Sequence, residues 1–345
     1  MKWNVFGMTL MLAALVAAPF GIAAGWGTHL GQKSEGSDEY RLEGPFTRGN
    51  LSVFLVHGKD KIKGQTFLTL EEGLVQKKVI VRETREVNEL TIQNVGREEV
   101  YVQSGDIVKG GAQDRMMVSD LILPPRSGVI PISVYCVEHG RWSQRGNEAA
   151  GTFNSSANTI ASREVKLAAK LKSSQSEVWR EVSVAQDKLS TNVGSGVTRN
   201  DSPSSFQLTL ENRQVQKTAD DYVKALSAIV NDKPDVIGYV FAINGKVNSA
   251  DVYASNALFR KLWPKLLTAS AIEAVAEFRR DEKFAPPKPD DVRGLLDDSK
   301  AEEKQKDVTP STQVITRESD GNVSFETRDR AKADAWVHRN YIKKN

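Results

Sequence analysis

One stretch constrains the fold more than any other: Asp235-Val236-Ile237-Gly238-Tyr239-Val240-Phe241-Ala242-Ile243, then Asn244-Gly245, then Lys246-Val247-Asn248-Ser249-Ala250-Asp251-Val252-Tyr253. Two runs suited to strands flank an Asn-Gly pair, and that pair supplies the positive φ that both central positions of a type I′ turn require. The stretch predicts an antiparallel β-hairpin. Shorter strand patterns precede it at 51–56, 79–83, 87–94, 100–108, 115–123 and 129–138, with Gly96 and Pro124-Pro125-Arg126-Ser127-Gly128 as turns. Such spacing belongs to a sandwich or a small barrel.

Helical patterns alternate with these strands. Thr69-Leu70-Glu71-Glu72 is a capping box that predicts a short helix to about Gln76. From Ser162 to about Leu189 a thin apolar stripe of Val165, Ala168, Leu171, Val178 and Val182 predicts helix packed by one face. Thr191 to Ser205 is loop-like in composition, and Phe206 to Asp232 is helical again. Ser255 or Asn256 caps a further helix whose Leu258, Phe259, Leu262, Trp263, Leu266 and Leu267 form a core face. Pro264 either kinks that helix or opens a second one at its first position, running to about Arg280. Residues 281–310, rich in Pro, Lys, Asp and Glu, read as a solvated linker, and strands are expected at 312–317, 323–328 and about 335–342.

The expected fold class is α+β: a β-rich, sandwich-like or barrel-like core of short antiparallel strands with packed helices. The expected organisation is a signal peptide (1–24), a leader (25–50) and one composite domain (51–345). Within that domain the β-rich part covers 51–145, the helical segment 160–232, hairpin plus helix 235–280, the linker 281–310 and C-terminal strands 311–345. A chain of 345 residues, 39% hydrophobic, can bury such a core.

The N-terminus has its own signal. Lys2 precedes an apolar run from Val5 to Ala24 that ends in small residues, the pattern of a secretory signal peptide. An uncleaved anchor is the rival reading, since about 20 apolar residues suffice to span a bilayer. With cleavage the protein is exported, periplasmic or secreted, and keeps no membrane span. Cys136 is the sole cysteine, so no internal disulfide can form, and its strand context reads as a buried thiol. Lys and Arg (47) nearly balance Asp and Glu (44), so no long-range field favours nucleic acid as a partner. The densest basic group, Lys261, Lys265, Arg279 and Arg280, lies among Glu273, Glu277 and Asp281 and reads as a solvated helix face.

Two blocks carry a resemblance. Gly105-Asp106-Ile107-Val108-Lys109-Gly110-Gly111-Ala112-Gln113-Asp114-Arg115 and Cys136-Val137-Glu138-His139-Gly140-Arg141-Trp142 are similar to the signature of the ARG and rhodanese-phosphatase superfamily associated protein domain, first type. Later stretches also resemble blocks of that family: Gln175-Ser176-Glu177-Val178-Trp179, Ile243-Asn244-Gly245-Lys246, Asp251, Leu258-Phe259-Arg260-Lys261-Leu262-Trp263 and His338. The resemblance runs from about Leu51 to the C-terminus. It implies association with ADP-ribosylglycohydrolase and phosphatase-type genes or domains, and it brings no activity with it.

The same two blocks supply the candidate site: Gln113, Asp114, Arg115, Glu138, His139, Arg141 and Trp142. Arg115 and Arg141 suit a phosphate or carboxylate, Asp114 and Glu138 suit ribose hydroxyls or a metal, and Trp142 suits stacking. The alternative is structural: Asp114 paired with Arg141 and Glu138 with Arg115, closing a sheet corner. The sequence holds no phosphate loop, nucleophile elbow, His-Glu-x-x-His or Cys-x-x-Cys, and its four histidines are too scattered to form a metal set. No metal is expected and no cofactor is named by any motif. Two functions remain. One is a binding or interaction module for an anionic or sugar-nucleotide-like ligand or an envelope protein partner. The other is a hydrolase acting on a phosphate- or ADP-ribose-like substrate, with Asp114 or Glu138 as general base and arginines as anion clamps.

Overall fold

The computed structural model describes residues 40–62, 64–297 and 301–344. The expected signal peptide and residues 25–39 of the expected leader lie outside them. In the first half the strands are β1 (Arg41–Arg48), β2 (Leu51–His57), β3 (Leu68–Thr69), β4 (Val79–Glu83), β5 (Glu89–Asn94) and β6 (Val100–Val102). They continue with β7 (Asp106–Gly110), β8 (Arg115–Met117), β9 (Leu121–Leu123), β10 (Gly128–Cys136) and β11 (Phe153–Ile160), and helix α1 (Leu70–Val75) follows β3. Helices α2 (Arg163–Lys170), α3 (Gln175–Val193), α4 (Phe206–Leu210) and α5 (Arg213–Leu226) come next. The chain closes with β12 (Val236–Ile243), β13 (Lys246–Tyr253), α6 (Asn256–Ala276), α7 (Pro289–Leu296), β14 (Glu302–Thr309), β15 (Thr312–Glu318), β16 (Asn322–Asp329) and β17 (Ala335–Lys343). The class is α+β with a β-rich core.

The hairpin forms as its sequence dictates. Ile243 pairs with Lys246 across the turn, where Asn244 (φ 53°) and Gly245 (φ 75°) take the two positive-φ positions. The hairpin lies inside an eight-stranded antiparallel sheet ordered β1-β2-β12-β13-β17-β16-β15-β14. The middle of this sheet is covered on both faces. Leu51, Val53 and Leu55 of β2, with Tyr239 and Phe241 of β12, pack against Phe259, Leu262, Trp263 and Leu266 of α6. Phe54 and Val56, with Ile237 and Val240, turn the other way onto Val292, Leu295 and Leu296 of α7. Two-sided burial explains why β2 and β12 read as unbroken apolar runs.

A second core lies between a six-stranded antiparallel sheet (β11-β7-β8-β10-β5-β4) and a three-stranded one (β3-β6-β9). Val81, Ile92, Met117 and Val134 of the larger sheet meet Val100, Val102, Leu121 and Leu123 of the smaller, with Leu70 of α1 at the margin, which is a small sandwich. The Thr69 capping box is present, its hydroxyl accepting from the Glu72 amide and Glu72 accepting from the Thr69 amide.

The structure corrects several expected boundaries. The patterns at 100–108 and 115–123 are each two strands, β6 with β7 and β8 with β9, and the pattern at 162–189 is two helices, α2 and α3. Residues 41–48 of the expected leader are strand β1, paired antiparallel with β2. Residues 281–310, expected as a linker, contain α7 and β14. Pro289 stands in the first turn of α7 and Asp290 and Asp291 follow it, a helix start that uses a missing N–H and the positive end of the helix dipole. Strands β1 and β14 are the two edges of the large sheet, where charged residues and proline discourage pairing with other chains. Helix α6 runs unbroken through Pro264 to Ala276. Among the described residues no helix is long and apolar enough to cross a membrane.

Candidate functional site

The two glycine-punctuated blocks meet where β7 and β8 end beside the C-terminus of β10. Cys136 pairs with Arg115 in the β10–β8 ladder, so Glu138 emerges next to Asp114. The turn between β7 and β8 holds Gly110 and Gly111 at positive φ, and a Cβ on Gly111 would stand 2.3 Å from the Phe153 ring. Glycine is required there by both backbone and space.

Around this corner the two carboxylates, Asp114 and Glu138, are satisfied by their neighbours. Arg145 donates from Nη1 to Asp114 Oδ2 and from Nη2 to Asp114 Oδ1, both at 3.0 Å, and from Nη1 to Glu138 Oε1 at 3.2 Å. Arg141 grips Glu138 through Nε (2.6 Å) and Nη2 (2.7 Å) and caps the Gly111 carbonyl through Nη1 (3.0 Å). Ser205 donates to Asp114 at 2.8 Å, Ser202 to Glu138, and the Asp114 amide to Glu138 at 2.9 Å. Asp114, Glu138, Gln113 and Arg115 are all 0% exposed. Burial acts to raise the Glu138 carboxyl, but the Arg141 and Ser202 hydrogen bonds outweigh it and hold it below the usual carboxylate range. Burial and the neighbouring Glu138 charge outweigh Arg145 at Asp114 and raise it.

Five of the seven expected residues, Gln113, Asp114, Arg115, Glu138 and Arg141, therefore come together, with different pairings. Arg141 belongs mainly to Glu138 and lies 3.7 Å from Asp114. Arg115 does not pair with Glu138: it donates to the Gln113 carbonyl at 3.0 Å and lies 3.8 Å from Glu83. His139 and Trp142 sit outside, Trp142 being 54% exposed with its ring 6.0 Å from the Arg115 guanidinium. Sequence reasoning missed Arg145, Ser202 and Ser205, which come from segments without periodicity. Helix α3 locks the same corner. Gln175 exchanges two hydrogen bonds with the Cys136 backbone (2.9 and 2.8 Å), and the Trp179 indole donates to the Glu138 carbonyl at 3.2 Å. Cys136 is buried, which pushes its thiol up to about 11.

A second ionic junction lies where β9, β13 and β17 meet α2 and α6. His338 of β17 bonds Asp120 through Nδ1 (2.7 Å) and Asp251 of β13 through Nε2 (3.1 Å). Its ring stacks on Tyr253, with centroids 4.4 Å apart. Asp120 also accepts from Thr327 (2.6 Å) and the Ser104 amide (2.7 Å), and Asp251 accepts from Asn340 (3.0 Å). Burial opposes the imidazolium, yet Asp120 and Asp251 outweigh it and raise the His338 pKa. Lys265 is buried here in an ion pair with Asp106, which corrects its expected place on a solvated face. Two further lysines, Lys166 and Lys170, stand four residues apart on α2 and so share a face. Three aspartates (Asp106, Asp120, Asp251) thus meet three lysines and a histidine, and one cation is in excess.

Neither Lys166 nor Lys170 has an ion-pair partner among the described residues, and Lys170 borders a cleft. Asp120, Ser133, Lys170, Lys306, Phe325 and Thr327 line a cleft of about 250 Å³ between the ends of β8–β10, α2 and strands β14–β16. The Lys170 amine stands 3.6 Å from the Phe325 ring centroid and has no ion-pair partner among the described residues. Burial, reinforced by the Lys166 charge and partly offset by Asp120, brings its pKa down to about 8. A larger cleft of about 340 Å³ lies between α2, α3, α6 and the Asn244 turn. Arg163 pairs there with Glu164, Lys188 with Glu277 and Arg279 with Glu282. That leaves Lys246 as its one lining cation without an ion pair among the described residues, against Lys170 and Lys306 in the smaller cleft. Among the described residues no group of three His, Cys, Asp or Glu is arranged to hold a metal ion.

The fold and these junctions define a β-rich α+β domain whose separate sequence blocks converge on buried ionic corners. The chain belongs to the family of the ARG and Rhodanese-Phosphatase-superfamily-associated Protein domain, which matches residues 39–342. No curated protein and no solved structure shows significant similarity to it.

Proposed function

We propose that this chain is an exported binding module that takes a small anionic ligand in the cleft beside Lys170. The observation that carries the reading is the Lys170 amine: it lines the cleft and lacks an ion-pair partner among the described residues. Lys306 on the opposite wall likewise has no ion pair among the described residues, so an anion entering the cleft meets two lysines. A ligand carboxylate or phosphate supplies the counter-charge that the fold leaves out. Export rests on the Lys2 and Val5–Ala24 pattern, and mass analysis of the exported chain locates the cleavage.

The corner at Asp114 and Glu138 supports the fold of this module more than its chemistry. Both carboxylates are fully buried and hydrogen-bonded on every side, so a hydrolase that used either as general base would first have to open the corner.

Thermal unfolding with ADP-ribose, nucleotides, sugar phosphates and small carboxylates tests the proposal. A ligand at a hundredfold excess over its Kd stabilises by about 2.7 kcal/mol. The expected result is a shift with at least one anion that disappears in Lys170→Met. A shift with none of them, or one untouched by Lys170→Met, overturns it.

A further inference from the structure

We propose that Lys170 condenses with the carbonyl carbon of a small anionic carbonyl compound, a 2-oxo acid or a phosphorylated aldehyde, to form an imine in the cleft. This rests on the binding reading above and names the chemistry of the same site. The geometry divides the work between two lysines. Lys170 stands at the inner wall with its amine over Phe325, and Lys306 is exposed on the opposite wall, where it meets the ligand's negative group.

An amine that attacks a carbonyl must be unprotonated and unpaired. Lys170 has no carboxylate within ion-pair distance among the described residues, and burial holds its pKa at about 8, so a substantial share is free amine near neutrality. The nitrogen lone pair attacks the carbonyl carbon, and the carbonyl oxygen takes a proton from solvent at the cleft mouth. The nitrogen then returns a proton to solvent, the hydroxyl takes a second proton from solvent and leaves as water, and the resulting iminium gives its remaining N–H proton back to solvent. Amine and carbonyl become imine and water, and no oxidant or reductant is involved. Asp120 has a separate part. Burial opposes its charge, but His338 outweighs burial and holds it ionised well below the usual carboxylate range. Its fixed negative charge beside the cleft favours the protonated iminium over the neutral imine.

The test is reductive trapping on the full chain near pH 7.5, with pyruvate and glycolaldehyde phosphate as probes and cyanoborohydride as reductant, read by intact mass and peptide mapping. The expected result is one reduced adduct per chain on the peptide holding Lys170, formed on the order of tenfold faster than on exposed lysines such as Lys224. A pKa near 8 gives a free-amine fraction about a hundredfold above that of an ordinary lysine, and lower basicity returns part of the gain. Lys170→Arg keeps the positive charge and cannot form an imine. It is expected to keep the probe's thermal shift and lose the adduct, whereas Lys170→Met loses both. Labelling of Lys170 no faster than that of exposed lysines overturns the imine. If pyruvate still produces a shift that depends on Lys170, anion binding stands and the covalent step alone falls. If no anion produces a shift and no adduct forms, both readings fall.

Discussion

Arg145 and Asp114, 31 residues apart in sequence, are joined by two parallel hydrogen bonds of 3.0 Å in a setting that excludes water. The same guanidinium also reaches Glu138, so one side chain neutralises much of a buried carboxylate pair. Removing it strands both acids. Arg145→Met is expected to cost about 3–5 kcal/mol, the range for breaking a buried ion pair from one side. Trp142→Ala, an exposed change at the same corner, is expected to stay within about 0.5 kcal/mol. Urea unfolding of the two variants decides the point, and similar losses in both would show that the corner does not hold the fold together.

Lys170 sets up an opposite effect. Its folded pKa of about 8 lies below the 10.5 of a free lysine, so the unfolded chain binds that proton more tightly. Stability is therefore reduced at neutral pH, and it recovers as pH rises from 8 toward 10.5. Lys170→Met is expected to be more stable than the parent at pH 7, by at most ~3 kcal/mol, with the advantage fading by pH 10. Unfolding of both proteins across that range measures it. A constant difference would mean that the amine titrates normally.

Legibility from sequence followed coverage by neighbours. The hairpin at Asn244-Gly245, the Thr69 capping box and the Ser255 cap are local devices whose geometry is written in a few adjacent residues, and all three stand in the fold. Strands β1 and β14 were hidden for a physical reason: as edges of the sheet they carry charge and proline where an inner strand carries valine and isoleucine. Helix α7 was hidden because only Val292, Leu295 and Leu296 are buried, too short a stripe to stand out in a charged segment. The blocks at 105–115 and 136–142 do meet, but Arg145, Ser202 and Ser205 reach them over distances that no periodicity encodes. The Lys170 cleft was invisible for the same reason, since its lining comes from β10, α2 and three C-terminal strands.

His338 makes the second pH argument. Its pKa is raised above 6.5 because Asp120 and Asp251 outweigh burial, so the charged ring stabilises the fold. That contribution is complete below pH 6.5 and is lost as pH climbs through the folded value. His338→Gln is therefore expected to be most destabilising near pH 6 and progressively less so at higher pH. Titration of the imidazole by NMR should give a midpoint above 6.5, and a midpoint below it would show that burial wins over the two aspartates.

Segment 281–310 is where sequence and structure part most sharply, so its contribution to stability is the most direct test of the fold. Leu295 is 2% exposed and packs with Val292 and Leu296 against Phe54, Val56, Ile237 and Val240 on the face of the large sheet that α6 leaves open. Without α7 that face is bare to water, and β2 and β12, apolar on both sides, lose half their cover. Leu295→Ala is expected to cost about 2–5 kcal/mol, as for other buried leucines that leave a cavity. Replacing the exposed Asp290 by Ala trims only a favourable charge at the helix N-terminus, worth about 0.3–1 kcal/mol. Denaturant midpoints of the two variants separate a packed helix from a solvated linker, because in a linker both substitutions would leave the midpoint where it is.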